Sequence, residues 1–206
     1  MADIRSILAL GPVMPVIVIH DKDDAVPLAH ALLEGGISTI EVTLRTEAAV
    51  SAMAEIVKHC PDMVVGAGTV VTAEQAKQVR DIGAVFAVSP GATDALIEGC
   101  QNVALDLLPG AASASEAMAL AEKGFDVLKF FPAVPAGGAP FLKSLASPLP
   151  HLTFCPTGGI TLQTAPDFLG LPNVMCVGGS WIASASDIAT KDFAKITANA
   201  KAASGL

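Results

Sequence analysis

The stretch ISTIEVTLRTEAAVSAMAEIVKHCPDMVV (37–65) contains the pattern that decides the fold. Ile37–Leu44 is an apolar run rich in Ile, Val and Thr, which suits a strand. Glu47–His59 spaces its apolar residues for a helix, and Met63–Val65 opens a second strand. A strand, a helix and a further strand in so short a span form a βαβ unit.

The pattern continues in both directions. Eight apolar runs recur, at Val13–Ile19, Ile37–Leu44, Met63–Val65, Val85–Val88, Val103–Leu108, Val127–Phe131, Leu152–Cys155 and Val174–Val177. Between and after them the spacing predicts helices over Ala25–Leu33, Glu47–His59, Thr72–Ile82, Thr93–Cys100, Ser113–Glu122, Ala139–Ala146, Leu162–Leu169 and Ile188–Ala203. Glycines 35, 36, 83, 99, 124 and 170 suit helix C-caps. Near-continuous apolar strands alternating with helices indicate a parallel sheet covered on both faces. Eight such units favour closure, so the expected fold is α/β, a single-domain (β/α)8 TIM barrel over residues 1–206. An extra N-terminal helix within Ala2–Leu10 would cap its bottom. An open doubly wound sheet is the alternative.

Composition narrows the functional classes. With 206 residues, 52% of them apolar, the chain can bury a core without a disulfide framework or a metal. Twelve basic side chains against 20 acidic ones give a formal net charge of −8 and no basic stripe, which disfavours nucleic acid as a partner. Mean hydropathy is high, +0.58. Yet the apolar run Val13–Ile19 contains Pro15, ends in His20-Asp21-Lys22-Asp23-Asp24 and is too short to span a bilayer. Neither a membrane span nor a secretory signal is expected, and the protein reads as cytoplasmic. Cys60, Cys100, Cys155 and Cys176 are widely spaced and read as reduced, buried thiols. Asp21–Asp24 and Lys191–Leu206 read as solvated surface.

In a barrel, catalytic groups stand at the C-terminal ends of the strands. Alternation along Ile40-Glu41-Val42-Thr43-Leu44-Arg45-Thr46 puts Glu41, Thr43 and Arg45 on one face. They read either as a structural ion pair or as a base beside a carboxylate-binding cation. Lys129 lies within Asp126-Val127-Leu128-Lys129-Phe130-Phe131-Pro132, where lysine is rare. Desolvation disfavours an ammonium, and a neutral lysine amine is the nucleophile of a Schiff base. The bland alternatives are a lysine that snorkels to the strand end or one paired with Glu41. Pro156-Thr157-Gly158-Gly159-Ile160 and Gly178-Gly179-Ser180 place bare backbone amides after the last two strands, the usual phosphate site of this fold. Tight turns are the competing explanation. Gly66-Ala67-Gly68-Thr69 and Ser89-Pro90-Gly91 leave room for a small ligand, a weaker signal. Trp181 is expected to pack beneath the Gly178-Gly179-Ser180 loop or at a subunit contact. No metal-ligand spacing and no nucleotide-binding glycine motif occurs, so no metal or cofactor is expected.

Seven ordered motifs are together far more specific than any one: PVMPVIVI (12–19), EVTLRT (41–46), VGAGTV (65–70), VSPG (88–91), LKFFPA (128–133), FCPTGGI (154–160) and CVGGSW (176–181). On them the chain resembles, nearly end to end, the bacterial 2-dehydro-3-deoxy-6-phosphogluconate (KDPG) aldolases and the related 4-hydroxy-2-oxoglutarate aldolases. The resemblance implies a metal-independent, homotrimeric barrel. Its substrate would be a phosphorylated keto-sugar acid, cleaved to pyruvate and D-glyceraldehyde 3-phosphate. Cleavage of 4-hydroxy-2-oxoglutarate to pyruvate and glyoxylate is the alternative main or side activity. By the same resemblance Lys129 would form the Schiff base and Glu41 would be the acid/base. Arg45 and Thr69 would hold the substrate carboxylate, Pro90, Phe131 and Thr157 would line the pocket, and Gly158, Gly159, Gly179 and Ser180 would receive the phosphate. Ala111 and Ala112 in LLPGAASASE (107–116) depart from the Ile or Val and Ser of the relatives, which bears on substrate preference. A phosphometabolite-binding barrel without catalysis and an isomerase using Glu41 alone are the readings from other classes.

Overall fold

The computed structural model describes residues 3–206. The first half runs α1 (Ile4–Leu8), β1 (Val13–Ile17), a 3₁₀ turn (Lys22–Asp24), α2 (Ala25–Glu34), β2 (Thr39–Thr43), α3 (Ala49–His59), β3 (Val64–Gly68), α4 (Ala73–Asp81), β4 (Phe86–Val88) and α5 (Asp94–Asn102). The second half runs β5 (Asp106–Leu108), β6 (Gly110–Ala111), α6 (Ala114–Glu122), β7 (Val127–Phe130), α7 (Gly138–Leu145), β8 (Thr153–Pro156), α8 (Ala165–Leu169), β9 (Val177–Gly179), α9 (Ala185–Ala189) and α10 (Phe193–Ser204).

The strands form a curled parallel sheet in two segments, ordered β5-β4-β3-β2-β1-β9 and β6-β7-β8. Nine short strands are present among the described residues where eight runs were expected. The extra division falls at Pro109, which has no N–H to give to a ladder, although its carbonyl still accepts from Lys129 N at 2.9 Å. On the other flank, isolated parallel bridges Phe154↔Val174 and Thr157↔Gly178 link β8 to the chain of β9.

Alternation sorts each strand into two faces. Ile40 and Val42 of β2, Ala67 of β3 and Leu128 and Phe130 of β7 join the outer core, between sheet and helices. Met14, Phe86, Val88, Leu108, Val127, Cys155 and Cys176 form a separate cluster with Ile7 and Leu8 of α1. These residues come from well-separated strands, and only a curled sheet brings their inner faces together. Helix α1 is fixed there by Arg5, which reaches Asp126 at 2.8 Å and Thr153 Oγ1 at 3.4 Å, at the N-terminal ends of β7 and β8. The expected N-terminal helix therefore exists as Ile4–Leu8, and Ala2 lies outside the described residues.

Four local expectations are corrected. The helix expected over Ile188–Ala203 is two helices, because Lys191 takes a left-handed φ of 56° and Asp192 caps α10 by accepting from Lys195 N. The run Val103–Leu108 enters a strand only at Asp106, since Val103 caps α5 and Ala104 turns with φ 51°. Gly99 lies inside α5 instead of at a cap, where a Cβ would sit 2.5 Å from Ala73 Cβ on α4. Asp24 and the inner face of α10 are not solvated surface: Asp24 is buried 3.6 Å from Lys191 Nζ, and Ile196, Ala200 and Ala203 are in the core. The four cysteines are free and buried, as expected, and burial pushes the Cys100 thiol up to about 11. Among the described residues no helix is long and apolar enough to cross a membrane.

Phe86 is fully enclosed, its ring lying over Gly66 of β3. Phe86→Ala is expected to lower stability by about 3–5 kcal/mol, read as a lower urea midpoint at unchanged slope. At the C-terminal end, the Lys195 ammonium and the Ser184 hydroxyl hold the Asp187 carboxyl below the usual carboxylate value of 3.8. A carboxyl depressed on folding adds stability above its unfolded pKa and loses it as pH falls through the folded value. Asp187→Asn should therefore lower Tm at neutral pH, with the difference closing once pH drops well below 3.8.

Candidate active site

Glu41 on β2 and Lys129 on β7 meet inside the curled sheet, with Lys129 Nζ donating to Glu41 Oε1 at 3.3 Å. Both are inner-face residues of their strands, and their side chains are only 3% and 5% exposed. Two charges so far from water require each other, since either one alone would be an uncompensated buried ion. Lys129 Nζ also lies 5.2 Å from the centre of the Phe131 ring, whose π face favours a cation.

Beyond the end of β2 the exposed Arg45 donates from Nε to Thr69 Oγ1 at 3.1 Å. Thr69 has φ 58°, a conformation that a β-branched residue adopts only under constraint from its surroundings. On the opposite side, Thr157 directly follows β8 and precedes Gly158 and Gly159, with φ 107° and 79°. Ala133 N donates to Thr157 O and Val134 N to Gly158 O, so the loop after β7 is tied to the loop after β8. These positive φ values leave backbone where side chains would otherwise stand.

A cavity of ≈ 90 Å³ lies between the two sides, and its wall includes Lys129, Arg45, Phe131, Thr157, Gly158, Gly159 and Ser180 from the sequence reading. Glu41 and Thr69 reach it through Lys129 and Arg45. Two expected residues stand elsewhere. Pro90 is exposed and its main chain packs against Gly110, while Gly179 faces outward, where a Cβ would sit 2.6 Å from the Trp181 ring. Trp181 thus packs beneath the loop, as expected. Ile160 and Gly178 of the two glycine loops also line the cavity, as does Val16 of β1, to which the sequence reading gave no role. Period-two alternation through Cys176, Gly178 and Ser180 was the available signal for Gly178 over Gly179.

A larger groove of ≈ 550 Å³ runs between α2 and α10, past His30, Glu34, Phe193 and Lys201. Its charged residues form an exposed pair, Lys201 to Glu34 at 3.8 Å, so size alone does not mark the site. Below Lys129, in register with it, Cys155 stands 3.5 Å from Cys176, and that contact, burial and the Glu41 charge hold the Cys176 thiol well above its ordinary value. Such thiols are inert. Among the described residues no group of three or more His, Cys, Asp or Glu is placed to hold a metal ion.

A buried lysine and carboxylate between an arginine and a glycine-rich loop pair can hold an anionic substrate at both ends while an amine attacks its carbonyl. The family model for KDPG and KHG aldolase matches residues 4–199. The KHG/KDPG aldolase of Escherichia coli is 44% identical, over 97% of this chain and 93% of that protein. A KDPG aldolase from Legionella pneumophila, solved with pyruvate as a covalent carbinolamine intermediate, is 46% identical with a TM-score of 0.95, over 97% of each chain. The corresponding aldolase of Zymomonas mobilis ZM4, solved with 3-phosphoglycerate, is 49% identical with a TM-score of 0.93, over 99% of this chain and 96% of that one. With sequence, fold and family model in agreement over nearly its whole length, the chain belongs to the KDPG and KHG aldolase family.

Proposed function

We propose that this chain is a class I aldolase that cleaves 2-dehydro-3-deoxy-6-phospho-D-gluconate to pyruvate and D-glyceraldehyde 3-phosphate. The observation that carries the reading is the buried contact of 3.3 Å between Lys129 Nζ and Glu41 Oε1 at the foot of the cavity. Arg45, oriented by Thr69, takes the carboxylate beside the ketone. Gly158, Gly159 and Ser180 receive the phosphate, and Phe131 and Thr157 bound the carbon chain. The carbinolamine held by the Legionella relative and the phosphorylated three-carbon acid held by the Zymomonas relative support these two ends.

Lys129 gives one ammonium proton to water and attacks the C2 ketone as the free amine; the carbinolamine hydroxyl takes a proton back and leaves as water, giving an iminium. Glu41 takes the proton of the C4 hydroxyl while the C3–C4 bonding pair moves toward the iminium nitrogen. C4 leaves as the aldehyde carbon and an enamine remains. A proton equal to the one taken at C4 is added at C3, water hydrolyses the iminium, and pyruvate and free Lys129 are restored. The iminium is the electron sink, so the steps balance without a metal or cofactor. Contacts at the phosphate, remote from the reacting carbons, fix C4 over Glu41.

The same steps cleave 4-hydroxy-2-oxoglutarate to pyruvate and glyoxylate, and the double name of the Escherichia coli relative favours this as a second activity. We further propose that β5 and β6 act as one interrupted strand, so that the curled sheet closes as an eight-stranded (β/α)8 barrel with α1 across its bottom. Residues 1–206 then form a single catalytic domain, working in the cytoplasm as a homotrimer with small molecules as its partners.

Borohydride reduction in the presence of pyruvate, with peptide mass mapping, should leave a reduced pyruvyl adduct on the peptide holding Lys129 and none in Lys129→Ala. A folded wild type without adduct would return the site to a phosphate binder or an isomerase. Glu41→Gln should reduce kcat for cleavage by about 10²–10⁴-fold, the span of general acid–base catalysis, measured by coupled pyruvate release.

A further inference from the structure

We propose that Gly68 is a positioning residue, whose missing side chain is the slot that aims the Glu41 carboxylate at Lys129. The proposal rests on the reading of Glu41 as the acid/base. Glu41 is paired across the ladder with Gly66, yet its carboxylate lies two residues further along β3, over Gly68. A Cβ on Gly68 would stand 2.6 Å from Glu41 Cγ, 2.8 Å from Cδ and closer still to Oε1. Real Cβ contacts do not come so near, and the obstacle is the working end of the side chain.

The place over Gly66 is already taken by the Phe86 ring, which is fully buried. The two inner-face glycines of β3 thus hold two different side chains. Phe86 fills the lower position and closes it, so Glu41 extends along the strand to the upper one, on the side from which Lys129 approaches. Side chains in strands lean along the strand direction, which makes this path the relaxed one. The room that Gly66-Ala67-Gly68 suggested for a ligand is therefore occupied by the catalytic carboxylate itself. Any side chain at residue 68 competes with Glu41 for that space, in an interior that does not deform freely.

Gly68→Ala separates positioning from packing. Its kcat for cleavage should fall by about 10-fold or more with KM changed by less than about threefold, a loss confined to the step that needs Glu41. Borohydride trapping of pyruvate on Lys129 should continue to the wild-type extent. Gly99→Ala, overpacked where α5 meets α4, should lose stability and leave both activities intact. Gly68→Ala should also lower Tm by roughly 2–8 °C, and in a Glu41→Ala background, where the slot is empty, that penalty should disappear. Glu41→Ala leaves Lys129 an unpaired buried charge, so the penalty of Gly68→Ala is read within each background, where that cost is common to both members and cancels. A kcat within about threefold of wild type overturns the proposal, as does an equal Tm penalty in both backgrounds. Parallel loss of trapping and kcat in folded Gly68→Ala also overturns it, because the methyl would then damage the whole pocket. A wild type that traps no pyruvate overturns the reading of Lys129 and the catalytic meaning of Gly68 with it. The stability cycle tells that failure from a failure of the steric argument.

Discussion

A lysine and a glutamate buried together inside a sheet constrain what surrounds them. Withdrawing each charge from water costs several kcal/mol, and their attraction offsets this only where geometry is held closely. Lys129 and Glu41 come from β7 and β2, 88 residues apart in sequence, and meet because the sheet curls. The inner cluster of Met14, Phe86, Val88, Leu108 and Val127, with Ile7 and Leu8 of α1, packs the interior of that curl. Arg5, holding α1 to Asp126 and to Thr153, thus supports the site from its far end.

The two sides of the cavity suit the anionic ends of the proposed substrate by different means. Arg45 is exposed and brings a full charge, steadied by a threonine in an unfavourable backbone conformation. The glycine loops bring partial charges from main-chain amides, with no flexible side chain to immobilise. A chain with a formal net charge of −8 repels anionic substrates at a distance, so both local sources act against the general field. Strand ends supply both, and the loops after β7 and β8 are bonded to each other, which ties the glycine side into one unit.

Much of this was legible from residue order. The strand–helix cadence, the inner-face alternation of Glu41, the lysine in an apolar strand and the paired glycines all follow from local periodicity and side-chain chemistry. Pro90 and Gly179 show where that reading runs out. Both lie in the right motifs, but Gly179 turns outward beneath Trp181 while Gly178 faces Thr157, a distinction of one residue in register. Cys155 and Cys176 looked unrelated along the chain and touch in the interior. The division of the last helix at Lys191 depends on a left-handed turn that no glycine announced.

The sequence by itself determined the class of fold, the family and the side chains proposed to react, because each rests on residue type and spacing, which are local. Only the tertiary structure decided which glycine faces the cavity, how far Lys129 stands from Glu41, and that the bare positions on β3 receive Phe86 and Glu41. Those properties depend on the register between strands and on the curl of the sheet. Register and curl are set by packing among residues far apart in the chain, and no local pattern encodes them.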